Sequence, residues 1–190
     1  MMERLRLMNR KGFTLVELAL VLVIVGLLIT GVLKGEALIQ NAKVKKLVNQ
    51  KESISAAFYT FYDRYGMYPG DENIAGAPSG DTHENTAAPN GQINGNEQYW
   101  LFEDLVLAGI INGSYNGTSE LPSNAFGGTI TILWANHYGL VDNWATFTNV
   151  PYDGAEMIDR KYDDGVYNTG SIRANQAYTN TAAKQLWWRM

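Results

Sequence analysis

The sequence comprises 190 residues, of which 46% are hydrophobic and 12% aromatic, and its formal net charge at pH 7 is −4. A chain of this length can form one domain with a well-filled core, or one domain and a membrane anchor. The acidic balance does not favour nucleic acid as a partner, since phosphate-binding proteins present basic surfaces. Because the chain contains no cysteine, disulfides, thiolate metal sites and cysteine nucleophiles are excluded.

The chain begins with a basic flank at residues 1–12. This flank carries Arg4, Arg6, Arg10 and Lys11 against a single acidic residue, Glu3. Residues 13–33 form an apolar run in which Glu17 is the only charged side chain. As an α-helix this run is long enough to cross a hydrocarbon layer of about 30 Å. Basic residues before the run predict a cytoplasmic N-terminus, with the rest of the chain on the far side of the membrane.

A cleaved secretory signal explains the apolar run less well than a retained helix does. Such signals have a shorter apolar core and end at a small-residue cleavage site. This run instead continues into KGEALIQNAKVKK, residues 34–46, without an A-x-A pattern. The small residue lies before the run, at Gly12. Cleavage after Gly12 would remove the basic leader and leave the apolar helix on the mature protein.

Residues 11–18, KGFTLVEL, resemble the prepilin signal of type IV pilins and of the pseudopilins of type II secretion systems. The resemblance covers roughly residues 9–65. In that family a membrane aspartyl peptidase cuts after the glycine and methylates the new amino terminus. The resemblance therefore implies cleavage between Gly12 and Phe13 and N-methylation of Phe13. It also implies a pilin-like fold, in which a long N-terminal helix packs on a small antiparallel-sheet head.

Glu17 is a charged side chain in a helix that otherwise suits a membrane. An ionised carboxylate in hydrocarbon costs free energy, so such a residue usually has a partner or a function. The resemblance implies that Glu17 pairs with the cationic amine of Phe13 in a neighbouring subunit. Such a pair would set the register of the helices more than their net stability, because desolvation offsets much of the attraction. Alternatively, Glu17 simply lies near a helix N-terminus, where the dipole favours an anion.

Small residues recur within the apolar helix. Gly26 and Thr30, and likewise Gly31 and Gly35, are spaced four residues apart, and such small faces let membrane helices approach closely. Glycine within a helix also weakens it, so local unwinding in a stretched filament is a second interpretation. A third is that glycine is simply frequent in membrane helices.

Residues 34–65 continue the helix as an amphipathic segment. Apolar and aromatic side chains recur on one stripe, namely Val44, Leu47, Val48, Ile54, Phe58, Phe61, Tyr62 and Tyr65. The pattern predicts one helix from Phe13 to Tyr65, ended by Gly66. Because an aromatic stripe at this spacing usually fills a core, we expect this half of the helix to pack under a head rather than to form a binding face.

Residues 66–190 are predicted to form a globular α+β head. Residues 66–98, rich in Gly, Asn, Ala and Pro, are expected to be a long surface loop. A helix is predicted at residues 97–110, with Gly109 as its stop. Its stripe consists of Trp100, Leu101, Asp104, Leu105 and Ala108.

The second half of the head has strand patterns. Antiparallel strands are predicted at residues 128–134 and 144–150, joined by a connection at 136–143. A short helix within residues 151–165 and a last strand at 170–174 follow, before a tail that contains Trp187 and Trp188.

Several head motifs resemble a subgroup of prepilin-type proteins of Gram-negative bacteria. These are YPGD at residues 68–71, NG at 90–91, AGIINGSY at 108–115 and IDRKYDDGVYNTG at 158–170. They imply no distinct activity. The lack of cysteine departs from the many pilins whose C-terminal loop is closed by a disulfide, which argues against a major adhesive pilin.

Calcium is the cofactor for which the sequence offers ligands. Pseudopilins of the major type often hold calcium in a C-terminal loop, and Asp159, Asp163 and Asp164 place three carboxylates just before Gly165. The alternative is that the Asp164-Gly165 pair forms a turn and Asp163 is solvated, since the full D-x-[DN]-x-[DN]-G pattern is absent. NGQINGNE at residues 90–97 is a weaker oxygen-ligand segment.

Two function classes remain after enzymes are set aside. His83 and His137 have neither an HExxH nor a G-x-S-x-G motif beside them, so no catalytic residue is predicted. The first class is a filament subunit of the inner membrane, processed by a prepilin peptidase and methyltransferase and assembled with other pilin or pseudopilin subunits into a periplasmic or surface filament. The second is a permanently anchored single-pass protein whose head binds a ligand or partner.

Overall fold

The computed structural model describes residues 12–83, 85–179 and 181–190. In chain order its elements are α1 (Leu15–Tyr65), α2 (Glu97–Leu107), β1 (Ile130–His137), β2 (Leu140–Val150), α3 (Tyr152–Tyr162), β3 (Ile172–Ala174) and β4 (Lys184–Arg189). The chain divides into a unit that ends at Gln40 and a second unit, Asn41–Met190, which we call the head unit. The predicted α+β class, a long N-terminal helix with a small antiparallel sheet, is confirmed. Apart from Gly12, the predicted leader lies outside the described residues.

Helix α1 is continuous over 51 residues. It begins later than predicted, at Leu15, because the hydroxyl of Thr14 accepts the Glu17 N–H at 3.2 Å and so caps the helix. It ends at Tyr65, as predicted. Gly66 follows with a φ of +77° and donates its N–H to the carbonyl of Tyr62 at 2.7 Å. The chain therefore leaves the helix in a left-handed conformation that glycine adopts without strain.

The part of α1 in the head unit packs through one face. Its buried side chains are Val44, Leu47, Val48, Ile54, Ala57, Phe58 and Phe61. All of these except Ala57 belong to the predicted stripe, which is confirmed to that extent. The prediction is wrong for Tyr62, whose side chain is 43% exposed. Its ring packs against Tyr68, with 4.9 Å between centroids, at the rim of the core.

Helix α2 is shorter than the predicted helix and ends before Gly109. Gly109 has a φ of +68°, and the next N–H, that of Ile110, bonds to the carbonyl of Leu105 at 3.0 Å. This left-handed residue, with a hydrogen bond back to the last helical turn, terminates the helix. The buried side chains of α2 are Leu101, Phe102, Glu103, Asp104 and Leu105. Two acidic side chains therefore lie inside the head unit on a short helix.

The four strands form one antiparallel sheet in the order β1-β2-β4-β3. Strands β1 and β2 pair from Ile130 opposite Phe147 to His137 opposite Leu140. Tyr138 and Gly139 form the turn between them, both with positive φ, as two-residue hairpin turns require. The predicted connection at residues 136–143 is therefore wrong, because both strands extend into it.

The strand predicted at residues 170–174 is present, but it is not the last strand. That segment contains β3, but the tail with Trp187 and Trp188 forms a further strand, β4, which lies between β2 and β3. Six residues with two adjacent tryptophans carry a weak period-2 pattern. Only pairing on both sides establishes them as an inner strand of the sheet.

One hydrophobic core joins the helices and the sheet of the head unit. It includes Phe61 from α1, Phe102 from α2, Phe147 from β2 and Ile158 from α3, all of which are fully buried. The loop before α2 has no helix or strand among its described residues, as predicted. It is not confined to the surface, however, because several of its polar and apolar side chains are buried, namely Asp71, Glu72, Asn85 and Ile93.

The ring of His137, at the end of β1, is expected to make the head unit less stable in acid. It stacks on Trp187 with 3.5 Å between centroids, and Arg173 donates a hydrogen bond to the His137 carbonyl. Burial, and then the charge of Arg173, lower the pKa of His137 to about 4. An unfolded chain binds this proton near pH 6.5, so the free energy of unfolding falls as the pH drops from there towards 4. We expect His137 to account for a loss of about 1–2 kcal/mol, since its partial exposure screens the effect.

Urea unfolding of the full chain in detergent, at about pH 7.5 and about pH 4.5, measures this contribution. The control is His137→Phe, which keeps an aromatic ring against Trp187 but cannot bind a proton. We expect the variant to lose less stability than the wild-type protein between the two pH values. Equal losses would show that other groups cause the acid sensitivity.

Candidate functional site

The predicted cleavage site lies in an accessible, non-helical segment. Gly12, Phe13 and Thr14 precede the first helical residue, Leu15. Gly12 is exposed, and a Cβ on it would meet no atom within 4 Å. Phe13 is 81% exposed. Peptidases act most readily on exposed segments outside helices and strands, so the bond between Gly12 and Phe13 is open to such an enzyme.

Glu17 forms a capping box with Thr14 at the start of α1. Its Oε2 accepts hydrogen bonds from the N–H and from the hydroxyl of Thr14, each at 2.8 Å. The Glu17 N–H in turn donates to Thr14 Oγ1, so two N–H groups at the helix terminus are satisfied reciprocally. The side chain is exposed. Within one chain Glu17 therefore acts at the helix terminus, and its pairing with a neighbouring subunit stays a prediction.

The small residues of the apolar helix pack against no other part of the chain among residues 12–83, 85–179 and 181–190. A Cβ placed on Gly26, Gly31 or Gly35 would meet no atom within 4 Å. The hydroxyl of Thr30 donates to the carbonyl of Gly26 at 2.9 Å, so it is bonded to its own helix. Helix α1 runs through all four positions without a break. Any requirement for small side chains here must come from contacts outside the single chain.

The N-terminal half of α1 has the properties of a membrane span. It contains an 18-residue window of mean hydropathy 2.8, and none of that window is buried. Large apolar side chains are exposed along this half, for example Leu15, Leu22 and Leu27, which are 84%, 72% and 70% exposed. By length and composition the helix can cross a bilayer, which is consistent with single-pass anchoring.

Asp71, the last residue of the YPGD motif, binds the NG motif. Its carboxylate accepts hydrogen bonds from the N–H of Asn90 at 3.0 Å and from the N–H of Gly91 at 2.6 Å. Asn85 Nδ2 donates to the same carboxylate at 3.3 Å. Asp71 is only 1% exposed. The two motifs thus meet at the buried Asp71 carboxylate, whose hydrogen bonds close the loop. This contact gives both motifs a structural role.

Gly70, the residue before Asp71, connects the same motif to α2. Its N–H donates to Asp104 Oδ2 at 2.6 Å. Its φ is +83°, and a Cβ on it would overlap the carbonyl oxygen of Glu97. Both the conformation and the close approach therefore require glycine at this position.

Three acidic side chains meet beside this contact. Glu72 and Asp81 from the loop and Asp104 from α2 each offer one oxygen, and these oxygens lie within 4.8 Å of one another. Burial, and then the charges of Asp81 and Glu72, raise the pKa of Asp104 to about 8. This cluster was not predicted from the sequence. The available signal was Asp104 itself, an acidic residue on the otherwise apolar stripe of its helix.

His83 contacts an acidic residue of α2. Its Nδ1 lies 2.6 Å from Glu103 Oε2, and the hydroxyl of Thr82 donates to Glu103 Oε1 at 3.1 Å. The ring also stacks near Trp100, with 6.1 Å between centroids. These contacts attach the loop to α2.

The three aspartates predicted to bind calcium also come together, with one oxygen from each within 4.8 Å of the others. Asp159 is fully buried and accepts hydrogen bonds from the Tyr178 hydroxyl at 2.7 Å and from the Gly165 N–H at 3.1 Å. Burial raises the pKa of Asp159. Burial, and then the hydrogen bond to Asp159, raise the pKa of Tyr178.

The other two aspartates accept hydrogen bonds from their own loop. Asp163 Oδ2 accepts from the N–H of Ile172 at 2.8 Å. Asp164 accepts from the Thr169 hydroxyl at 2.6 Å and from the Val166 N–H at 2.8 Å, and these bonds lower its pKa. The loop between α3 and β3 is thus closed by carboxylate hydrogen bonds in place of a disulfide. Calcium binding at Asp159, Asp163 and Asp164 stays a prediction.

Residues 7–33 match a family model described as the prokaryotic N-terminal methylation motif. This motif is the hallmark of prepilin-type proteins, the type IV pilins and pseudopilins, so the resemblance seen at residues 11–18 is confirmed. No curated protein and no solved structure matches the chain significantly. The match includes Gly12, Phe13 and Glu17 and does not extend into the head unit.

Proposed function

We propose that this chain, which carries the prepilin-type methylation motif, is a structural subunit of a type IV pilus-like or type II secretion pseudopilus filament. One observation carries the proposal: the motif adjoins a helix whose large apolar side chains are exposed. Such a surface must be covered, either by lipid or by other helices. A processed pilin-like subunit meets both environments in turn, first the membrane and then the core of a filament. The role is structural, and no residue is assigned to catalysis.

Processing is the first step of this proposal. A prepilin peptidase and methyltransferase cuts between Gly12 and Phe13, and methylates the new amino group of Phe13. The exposed, non-helical backbone at residues 12–14 supports this assignment. The basic flank at residues 1–12 favours retention of the N-terminus on the cytoplasmic side. Cleavage removes this flank together with the leader.

Assembly is the second step. The cleaved chain has a cationic amine on Phe13, which the carboxylate of Glu17 in a neighbouring subunit neutralises as the apolar helices pack. The Glu17 hydrogen bonds to Thr14 both use Oε2, so a carboxylate has capacity for a further donor on its other oxygen. The small residues Gly26, Gly31 and Gly35, at which an added Cβ would meet no described atom within 4 Å, give neighbouring helices surfaces for close approach.

Location follows from the same two steps. Before assembly the protein is a single-pass protein of the inner membrane, with its N-terminus in the cytoplasm and its head in the periplasm or outside the cell. After assembly it is part of a periplasmic or surface filament. Its partners are the processing enzyme and other pilin or pseudopilin subunits, in a homomeric or heteromeric filament.

Mass spectrometry of the mature N-terminus tests the proposal. We expect the protein recovered from cells to begin with N-methylated Phe13. A Gly12→Val variant should retain its leader, because a side chain at the cleaved bond obstructs the peptidase. The matched control is Gly35→Ala, whose added Cβ meets no atom within 4 Å and which should be processed normally. Recovery of wild-type protein with the leader attached and with normal activity would refute the proposal.

The second candidate is a permanently anchored single-pass protein whose head binds a ligand or partner. The capping box favours it, because Thr14 already satisfies Glu17 within one chain. The two candidates differ in the product: a permanent anchor keeps its original N-terminus and forms no filaments. Electron microscopy of sheared surface material therefore complements the mass measurement.

A further inference from the structure

We propose that Glu72, Asp81 and Asp104 form a divalent-cation site in the head unit, and that Ca²⁺ is the ion it binds. The site is separate from the acidic loop at Asp159, Asp163 and Asp164, and it does not depend on a role in a filament. It joins the loop before α2 to α2 itself.

The three carboxylates are held in place by the backbone. Each of them accepts one hydrogen bond from a nearby N–H group. The pairs are Glu72 Oε2 with Ile74 at 2.8 Å, Asp81 Oδ1 with His83 at 3.0 Å, and Asp104 Oδ2 with Gly70 at 2.6 Å. Fixed carboxylates lose little conformational entropy when an ion binds, so these contacts preorganise the ligands.

The second oxygens of two of these carboxylates have no hydrogen-bond partner among the described residues. Asp81 Oδ2 and Asp104 Oδ1 are shielded from solvent and accept no hydrogen bond from the described part of the chain. Asp104 is 0% exposed. The ion pairs found among the described residues do not include Asp81 or Asp104. A buried carboxylate oxygen without a donor or cation is costly, so these two oxygens favour a cation as their partner.

The ligand atoms indicate the kind of ion. All three are carboxylate oxygens, which hard cations prefer to the nitrogen and sulfur ligands that suit zinc. Their mutual distances, within 4.8 Å, fit atoms on a shared sphere of about 2.4 Å radius, the usual distance between Ca²⁺ and oxygen. Mg²⁺ requires shorter distances of about 2.1 Å and a strict octahedron. The half-buried position of Asp81 leaves one side on which water can complete the coordination.

A cation bound at this site would cross-link the loop before α2 to α2, in a chain that has no cysteine for a disulfide. Two of its ligands belong to a loop without helix or strand in its described residues, and the third belongs to α2. Burial, and then repulsion from the neighbouring carboxylates, raise the pKa of Asp104, and a bound cation would cancel that repulsion. Binding to the folded state alone raises stability by mass action, so the head unit should depend on calcium.

Calorimetric titration of the full chain in detergent, after treatment with a chelator, tests the site with CaCl₂ and with MgCl₂. We expect one Ca²⁺ ion to bind with a Kd below about 1 mM, and saturating Ca²⁺ to raise the Tm by about 5 °C. Mg²⁺ should bind at least about tenfold more weakly. Asp81→Asn and Asp104→Asn should each weaken Ca²⁺ binding by at least about tenfold. Asp163→Asn, in the acidic loop, is the matched control and should bind as the wild-type protein does.

Two outcomes would overturn the assignment. If Asp163→Asn abolishes binding and Asp81→Asn does not, the ion occupies the acidic loop. If the wild-type protein binds no Ca²⁺ at millimolar concentrations, the three carboxylates do not form a calcium site. Asp81 is partly exposed, so Asp81→Asn decides the question even if Asp104→Asn fails to fold.

Discussion

Replacing Glu17 with Gln is expected to abolish filament assembly while membrane insertion and leader cleavage remain intact. Glutamine at this position can still accept the hydrogen bonds from Thr14, since the capping box tolerates Glu or Gln. A neutral amide cannot neutralise the amine of Phe13 in a neighbouring subunit, so that charge would be buried without a partner. We expect filaments in sheared surface material to fall at least about tenfold, measured by electron microscopy and immunoblotting.

Two variants separate the charge of Glu17 from its role as a cap. Thr14→Ala removes the hydroxyl of the capping box but keeps the carboxylate, so it should assemble. Glu36→Gln neutralises another exposed carboxylate of α1 and should also assemble. If Thr14→Ala is as defective as Glu17→Gln, the cap and not the intersubunit pair is what assembly requires.

Replacing Asp71 with Ala is expected to cost the head unit about 3–5 kcal/mol, because a buried carboxylate that accepts several hydrogen bonds at once would be lost. The donors of these bonds are the N–H groups of Asn90 and Gly91 and the amide of Asn85. Thermal unfolding of the full chain in detergent, followed by near-UV circular dichroism, measures the loss. We expect the Tm to fall by about 10 °C or more.

The matched control is Asp63→Asn, an exposed carboxylate on α1. It should change the Tm by no more than about 2 °C, since surface substitutions away from special features have small effects. Asp71→Asn is informative as well, because it keeps the size of the side chain but replaces one acceptor oxygen by a donor. A Tm of Asp71→Ala close to that of the wild-type protein would show that water replaces the carboxylate in the loop.

The N-terminal unit could be predicted well because its information is local. A basic flank, a glycine and an apolar run with Glu17 are contiguous, and the matched motif covers the same residues. Helix α1 ends at Tyr65, where Gly66 follows, so its end needed no tertiary contact to predict. Its start was less accurate, because the hydrogen bonds between Thr14 and Glu17 place the first helical residue at Leu15.

The α+β class of the head unit could be predicted, but the order of its strands and the contacts of its loop could not. The stripes of α1 and α2 identified most buried residues, since periodicity reports which face an element buries. The position of β4 between β2 and β3 was not predictable, because strand order depends on contacts between residues far apart in the chain. The same limit applies to the contact of Asp71 with Asn90 and Gly91.

The sequence by itself determined that this protein has an N-terminal methylation motif, an apolar helix with one acidic residue and an α+β head, since each of these depends on neighbouring residues. Only the tertiary structure decided which carboxylates share a site. Glu72 and Asp81 lie in a loop and Asp104 in a helix, and no spacing rule links them. Their approach follows from folding of the loop against α2, where Gly70 contacts Asp104. Chemistry that requires three side chains from separate segments exists only once the core has formed.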